Sequence, residues 1–168
     1  MRLTDRIGKG LLAAALIALS GSCWPLASDK DQPLEIAADS VEIDDARGIS
    51  IYRGNVDVQQ GSMRLLADEV TIHHAERSAS RIEAVGNPVR FRQKLDDGAK
   101  EVHAKAQRME YDIDSDQIVL IQQAEIRQGT DTFRSDRITY DRKNALVKAG
   151  ASAQGKERVR VTVQPGKR

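Results

Sequence analysis

The chain has 168 residues, a formal net charge of +1, 40% hydrophobic residues and 30% charged ones, which fits one globular domain or two half-size repeats that share a core. Its single cysteine excludes a disulfide framework, and its near-neutral charge gives no indication of a nucleic-acid partner. Aromatic residues make up only 4% of the chain, so the interior must be built chiefly from aliphatic side chains.

The first 27 residues have the layout of a secretory signal peptide. Cations lie among residues 1–9, an apolar run extends from Leu11 to Leu19, and small residues continue to Ala27. We predict cleavage after Ala27, so that residues 1–27 are removed and the mature chain is exported. This removal takes away three cations and one anion, and the net charge falls from +1 to −1.

Two alternatives stay open at the N-terminus. Cleavage after Ser22 would place Cys23 first in the mature chain, an arrangement similar to a lipoprotein signal. The segment from Gly10 to Ala27 is also apolar enough to remain as an uncleaved anchor, although a membrane-spanning helix needs about 20 such residues.

From Leu34 to Val163 the apolar residues follow a period of two, which predicts β-strands and leaves almost no helical spacing. Turns are expected at residues 44–48, 60–62, 86–88, 96–98 and 128–130 and at Gly150. This spacing predicts roughly fourteen to sixteen short antiparallel strands in an all-β sandwich, jelly roll or barrel. We expect one domain over residues 28–164 and a loose tail at residues 165–168.

An internal repeat is the most specific feature of the sequence. Residues 38–72 align without gaps on residues 106–140, at an offset of 68 positions. Asp44 then matches Asp112, and a weaker third copy begins at Gly86. The repeating unit is a pair of hairpins, and such units are expected to stack along one axis.

Several segments in a fixed order resemble the OstA-like domain family of lipopolysaccharide-transport proteins. They are ADSVEIDD, YRGNVDVQQG and LLADEVTI, with DQPLEI before them and IVLIQQAEI after them, and together they cover essentially the mature chain. The resemblance implies a periplasmic protein with a slightly twisted, open-ended antiparallel β-jelly roll built from repeated hairpins. It implies that the interior holds the lipid A acyl chains of lipopolysaccharide.

The resemblance also implies partners and binding residues. The partners are a single-span inner-membrane transport component and the N-terminal domain of an outer-membrane translocon. The implied lipid-contacting positions are Leu34, Ile36, Phe91, Tyr111 and Ile113. Strand alternation alone adds Val56, Val58, Leu65 and Leu120.

The expected inner face carries Val, Ile, Leu, Met and Ala, with few rings to fill it. Small aliphatic walls are compatible with an apolar trough for lipid and equally with a core that is sealed by aliphatic packing. The residues leave both interpretations open, and the resemblance favours the trough.

Residues for catalysis or metal binding are poorly represented. His73, His74 and His103 have no recognisable partners at metal-ligand spacing. Asp44-Asp45 and the pair Asp112 and Asp114 directly follow predicted strands, where acidic turn residues are usual. No glycine-rich phosphate loop or nucleophile elbow is present. We therefore predict a protein that is not an enzyme and uses no cofactor or metal.

The two ends of the predicted domain carry strands whose edges can remain unpaired. If these strands lie at opposite ends of the fold, the C-terminal edge of one molecule can pair with the N-terminal edge of the next. Such a contact does not close, so it builds filaments or bridges. The expected interface residues are Gln32, Leu34 and Ile36 at one end and Val159, Val161 and Val163 at the other. Charged strand ends that merely discourage pairing are the alternative.

The sequence thus predicts a non-enzymatic protein that binds lipopolysaccharide and bridges two membrane complexes by self-association end to end. Three alternatives remain. They are a membrane-anchored component of the same transport system, a carbohydrate-active jelly-roll enzyme, and a structural module with a closed core.

Overall fold

The computed structural model describes residues 29–76, 78–95, 101–144, 146–150 and 158–163, so the predicted signal peptide and C-terminal tail lie outside the described residues. Within these ranges the chain forms ten β-strands in one antiparallel sheet and a 3₁₀ turn at Asp29–Asp31. The strands are β1 (Leu34–Ala37), β2 (Ser40–Asp44), β3 (Ile49–Gln60), β4 (Met63–Ala75), β5 (Ser78–Lys94), β6 (Glu101–Asp112), β7 (Gln117–Gln128), β8 (Asp131–Asp141), β9 (Leu146–Ala149) and β10 (Arg160–Thr162). The prediction of an all-β antiparallel fold is confirmed. No helix in the described ranges is long and apolar enough to cross a membrane.

The strands follow one another in chain order across the sheet. β3 to β8 each pair with their neighbours in sequence, while β1 and β2 both pair with β3, and β9 and β10 both pair with β8. The sheet is therefore open, with the N-terminal strands at one end and the C-terminal strands at the other.

A row of irregularities crosses all six long strands near their midpoints. The register shifts between Arg53 and Val56 in β3 and between Ile121 and Ala124 in β7, and the strands between them shift at the same level. A bulge bends its strand and increases the local twist. Because these irregularities are aligned, they form a crease across the sheet.

The crease divides the sheet into two halves, which we name after a residue in each. The Phe91 half contains β1, β10 and residues 56–60, 63–67, 89–94, 101–106, 124–128 and 131–135. The Tyr111 half contains β2, β9 and residues 49–53, 69–75, 78–85, 108–112, 117–121 and 137–141. The end of each half that lies away from the crease, where the strands turn, is its tip.

One face of the sheet is buried in both halves. Val58 and Ile126 of the Phe91 half and Val70 and Ile138 of the Tyr111 half are all 0% exposed. A single flat sheet leaves each face open to water, and the described residues include no second sheet or long helix to cover this one. The sheet must therefore bend at the crease so that the two halves cover each other, and their apolar side chains form one core.

The described part of the chain has ten strands, which are fewer and longer than the short strands predicted from the sequence. Six of the ten strands are 11 to 17 residues long, and each crosses the crease. The predicted turn at residues 86–88 is wrong, because these residues lie inside β5, where the amide N–H of Asn87 donates to Asp68 at 3.1 Å. Glycine, asparagine and proline are typical of bulges as well as turns. The sequence pattern therefore indicates that the strand is interrupted, but it does not distinguish a bulge from a turn.

Three of the other predicted turns are present in the structure. Residues 45–48, 61–62 and 129–130 are turns, which confirms the predictions at 44–48, 60–62 and 128–130. Gly150 directly follows β9. The predicted turn at residues 96–98 lies outside the described residues.

The 68-residue repeat is visible in the backbone. Gly54 and Asn55 in β3 have positive φ, and so do Gln122 and Gln123, which lie 68 positions later in β7. The same offset relates Asp44 and Asp112, whose carboxylates each accept a hydrogen bond from the amide N–H three residues later. The repeat predicted from the sequence therefore specifies the same hairpin twice, including its bulge and its turn.

Candidate functional site

The nine predicted lipid-contacting residues all lie in or against the core. Six of them are at most 3% exposed: Val56, Val58, Leu65, Phe91, Tyr111 and Leu120. The remaining three are partly buried and pack against the same cluster: Leu34, Ile36 and Ile113. The structure thus brings them together on one face, although that face is packed against itself and does not form an open trough.

Cross-strand pairing arranges the inner face in continuous rows that run from one end of the sheet to the other. In the Phe91 half, directly opposed residues form the row Ile36, Val58, Leu65, Phe91, Ala104, Ile126, Phe133 and Val161. In the Tyr111 half, they form the row Val41, Tyr52, Val70, Ala84, Met109, Leu120, Ile138 and Ala149. Each row is apolar at every strand, from the N-terminal end to the C-terminal end.

Both ends of the inner face reach water. At the N-terminal end Val41 is 55% exposed and Ile43 is 63% exposed, although both lie opposite inward residues of β3. At the C-terminal end Val161, which lies opposite Phe133, is 51% exposed. Large apolar side chains that continue a buried row into solvent indicate a surface that another molecule can cover.

Sequence reasoning missed Val41 and Ile43 as end residues. The segment SVEID shows the alternation of a strand. It does not show that β2 pairs with the Tyr111 half while β1 pairs with the Phe91 half. That division depends on the crease, and no periodic pattern of residues in the sequence marks where the crease lies.

The predicted interface strands lie at opposite ends of the sheet, as the end-to-end hypothesis requires. β1 is the first strand in the order and β10 is the last. Gln32 precedes β1, and its carbonyl accepts a hydrogen bond from the side chain of Gln60 at 3.1 Å. Val159 and Val163 flank β10 and are 40% and 66% exposed. The role of these residues in association stays a prediction.

A buried arginine joins the tips of the two halves. The Arg142 side chain is 4% exposed, and its backbone N–H is bonded to the carbonyl of Asp116 in the Tyr111 half. Its guanidinium pairs with the Asp116 carboxylate at 3.2 Å, donates to the Tyr111 hydroxyl and lies 5.1 Å from the centre of that ring. In the opposite direction it donates to Oε1 of Gln93, in the Phe91 half, at 3.0 Å.

The contacts continue from Gln93 into the N-terminal turn. The Gln93 amide donates to Asp29 at 2.8 Å, and a guanidinium nitrogen of Arg142 lies 3.9 Å from the same carboxylate oxygen. Asp29 also accepts hydrogen bonds from the backbone and the hydroxyl of Ser62, both at 2.8 Å. The segment DRKN at residues 141–144 was not among the predicted turns, and nothing in it indicates this connection.

Tyr111 is the titratable group most strongly affected by this environment. Burial is the main cause that raises the pKa of its hydroxyl above its usual value, and the Asp116 carboxylate adds to the effect while Arg142 opposes it. The hydroxyl therefore stays protonated and donates to Asp116 at 2.9 Å.

The residues considered for catalysis or metal binding are in ordinary structural positions. His74 lies 3.0 Å from Ser50, His73 lies 3.3 Å from Glu83, and His103 pairs with Glu101. Within the described ranges no group of three or more potential ligand side chains is placed to hold a metal ion.

Charged pairs cover the outer face. Arg64 donates two hydrogen bonds to Asp57 at 2.6 and 2.9 Å, and these bonds hold the pKa of Asp57 below its usual value. Burial alone would raise the pKa of Glu125, but Arg134 and Lys105 together hold it below the usual value. The outer face is therefore solvated and polar, in contrast to the rows on the inner face.

Comparison with known proteins agrees with this architecture. Residues 35–145 match the family described as "LptA/(LptD N-terminal domain) LPS transport protein". The chain is 33% identical over 165 residues to the lipopolysaccharide export system protein LptH of Pseudomonas aeruginosa, with 94% of each chain covered. It is 34% identical over 160 residues to the lipopolysaccharide export system protein LptA of Haemophilus influenzae, with 94% of this chain and 91% of the relative covered.

A solved structure has the same fold. The crystal structure of P. aeruginosa LptH, described as the LptA-homologous periplasmic component of the lipopolysaccharide transport device, superposes with a TM-score of 0.78 at 33% identity. The match covers 83% of this chain and all of that one. These relatives are named as transport components, and the predicted resemblance is confirmed. The chain belongs to the family of LptA and LptD N-terminal domain lipopolysaccharide transport proteins.

Proposed function

We propose that this protein is a periplasmic carrier of lipopolysaccharide, which shields the lipid A acyl chains along its inner face and bridges inner-membrane and outer-membrane transport complexes. The observation that carries the proposal is the set of apolar rows that run without interruption between two exposed apolar ends. The family relationship supports the choice of lipopolysaccharide as cargo.

The energetics require such a surface. Each methylene transferred from water to an apolar environment contributes about 0.8 kcal/mol, so an acyl chain of about 12 to 14 carbons contributes on the order of 10 kcal/mol. A lipid with several such chains does not enter water at a useful rate. Rows that repeat the same apolar contact at every strand let a chain advance from one strand to the next while it remains covered.

Acyl chains enter this protein when the two halves separate. The inner-face side chains contact one another in the described conformation, so lipid must replace contacts between the halves with contacts to its own tails. The aligned bulges provide a hinge because they interrupt the ladder hydrogen bonds along a single line. In this proposal the sheet is the open-ended jelly roll predicted from the sequence, and the sugars and phosphates remain in water beyond the tips.

The ends provide the contact with neighbouring molecules. β10 of one molecule pairs with β1 of the next, and the exposed side chains of Val161 and Val41 are covered where the inner faces join. The contact is heterologous, so copies can add in a line. The terminal copies meet the single-span inner-membrane component at one end and the translocon N-terminal domain at the other. The signal peptide predicted at residues 1–27 delivers the chain to the periplasm.

Site-specific photo-crosslinking in living cells tests the proposal. A photoreactive amino acid at Phe91, Tyr111 or Ile113 should form adducts with labelled lipopolysaccharide. The matched controls are Arg90 and Asp112, which are adjacent in sequence and point outward. Equal labelling at both sets of positions, or labelling at neither set, would contradict a lipid path on the inner face.

A further inference from the structure

The contacts of Arg142 point to a gate. We propose that Asp29, Gln93, Asp116 and Arg142 form a clasp that holds the tips of the two halves together, and that lipid enters when this clasp opens. The inference rests on the proposed function, because it concerns how acyl chains reach the inner face.

The clasp lies between the tips of the two halves. Arg142 follows β8 in the Tyr111 half, whereas Gln93 lies near the end of β5 in the Phe91 half. These segments lie on opposite sides of the crease, so the 3.0 Å hydrogen bond between them spans the gap between the tips. The crease already joins the halves at one side, and the clasp joins them at the other.

The clasp has a fixed part and a releasable part. Arg142 is anchored in the Tyr111 half by a backbone hydrogen bond and by the Asp116 carboxylate. Its contacts with the Phe91 half are one hydrogen bond to the uncharged Gln93 amide and a long ion pair with Asp29 at 3.9 Å. If the halves separate, Arg142 keeps its charged partner Asp116, so opening leaves no buried charge without compensation.

The clasp contacts a residue of the predicted lipid path. Arg142 lies over the Tyr111 ring and bonds to its hydroxyl. Tyr111 in turn lies opposite Ile82 and Ile118 in an inner-face row. Separation at the clasp therefore uncovers the edge of this row first, and that edge is where a tail entering from the tips would make contact.

The N-terminal turn contributes a second connection. Asp29 is bonded to Ser62 and Gln93 in the Phe91 half and faces Arg142 across the gap. Asp29 lies two residues after the predicted cleavage site at Ala27, so the start of the mature chain is part of the clasp.

The test compares variants that weaken the releasable part and keep the anchor of Arg142 in the Tyr111 half. Gln93→Ala and Asp29→Ala each remove contacts between the halves and leave the pair between Arg142 and Asp116 intact. Asn144→Ala is the matched control, because Asn144 is in the same turn as Arg142 and its hydrogen bonds within the described residues go to Asp141 in the Tyr111 half. Two readouts are measured on purified protein. The first is the distance between spin labels on Ser115→Cys and Thr130→Cys, one on each tip, in a cysteine-free background. The second is the association rate of fluorescent lipid A.

Both clasp variants should widen the distance distribution and raise the association rate severalfold, while Asn144→Ala matches the wild type. Unchanged distances in both variants would overturn the clasp, and wider distances without faster association would overturn its role as a gate. If lipid A binds neither the wild type nor any variant, the proposed function fails. That failure is distinguishable, because the spin-label distances still report whether the clasp holds the tips together.

Discussion

Gly54 and Gln122 lie at equivalent points of β3 and β7, 68 positions apart, and both have a left-handed backbone, with φ of 77° and 64°. The two copies of the repeat therefore keep one bulge geometry, in one case with glycine and in the other with a residue that has a side chain. Their surroundings differ, since a Cβ on Gly54 would clash with the carboxylate of Asp39.

Substitution at these two positions should have unequal effects. Gly54→Ala adds a Cβ at positive φ, which costs about 1–2 kcal/mol, and also displaces Asp39, so we expect the free energy of unfolding to fall by more than that amount. Gln122→Gly relieves the same backbone strain and loses some chain rigidity, so its net effect should stay within about 0.5 kcal/mol. Urea denaturation measures both. A Gly54→Ala variant as stable as the wild type would contradict the role of the bulge.

The inner-face rows should differ in stability between their centre and their ends. Ile126→Ala removes a side chain that is 0% exposed and should lower the free energy of unfolding by about 2–5 kcal/mol. Val161→Ala, at the 51% exposed end of the same row, should lower it by less than about 0.5 kcal/mol. Thermal and chemical denaturation of the two variants give the comparison, and similar losses would show that the rows do not end in solvent.

A charge at either end should prevent assembly without unfolding the protein. Val161→Asp and Val41→Asp each place a carboxylate in the proposed contact, where burial of an unpaired charge is strongly unfavourable. Sedimentation at increasing concentration should show monomers for both variants. Leu66→Asp is the control, since Leu66 is 37% exposed on the outer face and should not affect association. Loss of assembly in the control, or its persistence in the end variants, would argue against the end-to-end contact.

Acid should weaken the fold through the outer-face carboxylates. The pKa of Asp57 in the folded protein is below its usual value of 3.8 because of Arg64, so its contribution to stability is complete above pH 3.8 and is lost as the pH falls through the folded pKa. Both side chains are partly exposed to solvent, so the contribution should be less than about 1 kcal/mol. Asp57→Asn should therefore show a smaller loss of stability between pH 5 and pH 3 than the wild type, measured by urea denaturation at each pH.

Replacing the turn aspartates should leave transport unaffected. Asp44 and Asp112 accept backbone hydrogen bonds in their turns, and asparagine can accept the same bonds. A variant with Asp44, Asp45, Asp112 and Asp114 all changed to asparagine should therefore still support growth when it is the only copy in the cell. Loss of growth with normal protein abundance would instead favour an enzymatic role for these carboxylates.

The strand alternation, the repeat and the inward positions were predicted from the sequence because each depends on a local pattern, whereas the number of strands was overestimated. Alternation places Val56, Leu65 and Leu120 inward without knowledge of the fold. The crease was not predicted, because the residues Gly86 to Pro88 fit a turn as well as a bulge, and only pairing with β4 and β6 distinguishes the two. Arg142 was not identified because its contacts come from segments far apart in the chain, which a linear pattern does not bring together.

The crease also constrains how the length of this chain can change. In β5 the inward residues are Ile82 and Ala84 before the crease and Val89 and Phe91 after it, so the inward positions pass from even to odd numbers. Inserting or deleting one residue in a strand, on either side of the crease, would turn the following side chains of that strand to the opposite face of the sheet. We therefore expect relatives to differ in length at the turns, or by two residues at a time within a strand. Either change keeps the apolar side chains of every strand on the inner face.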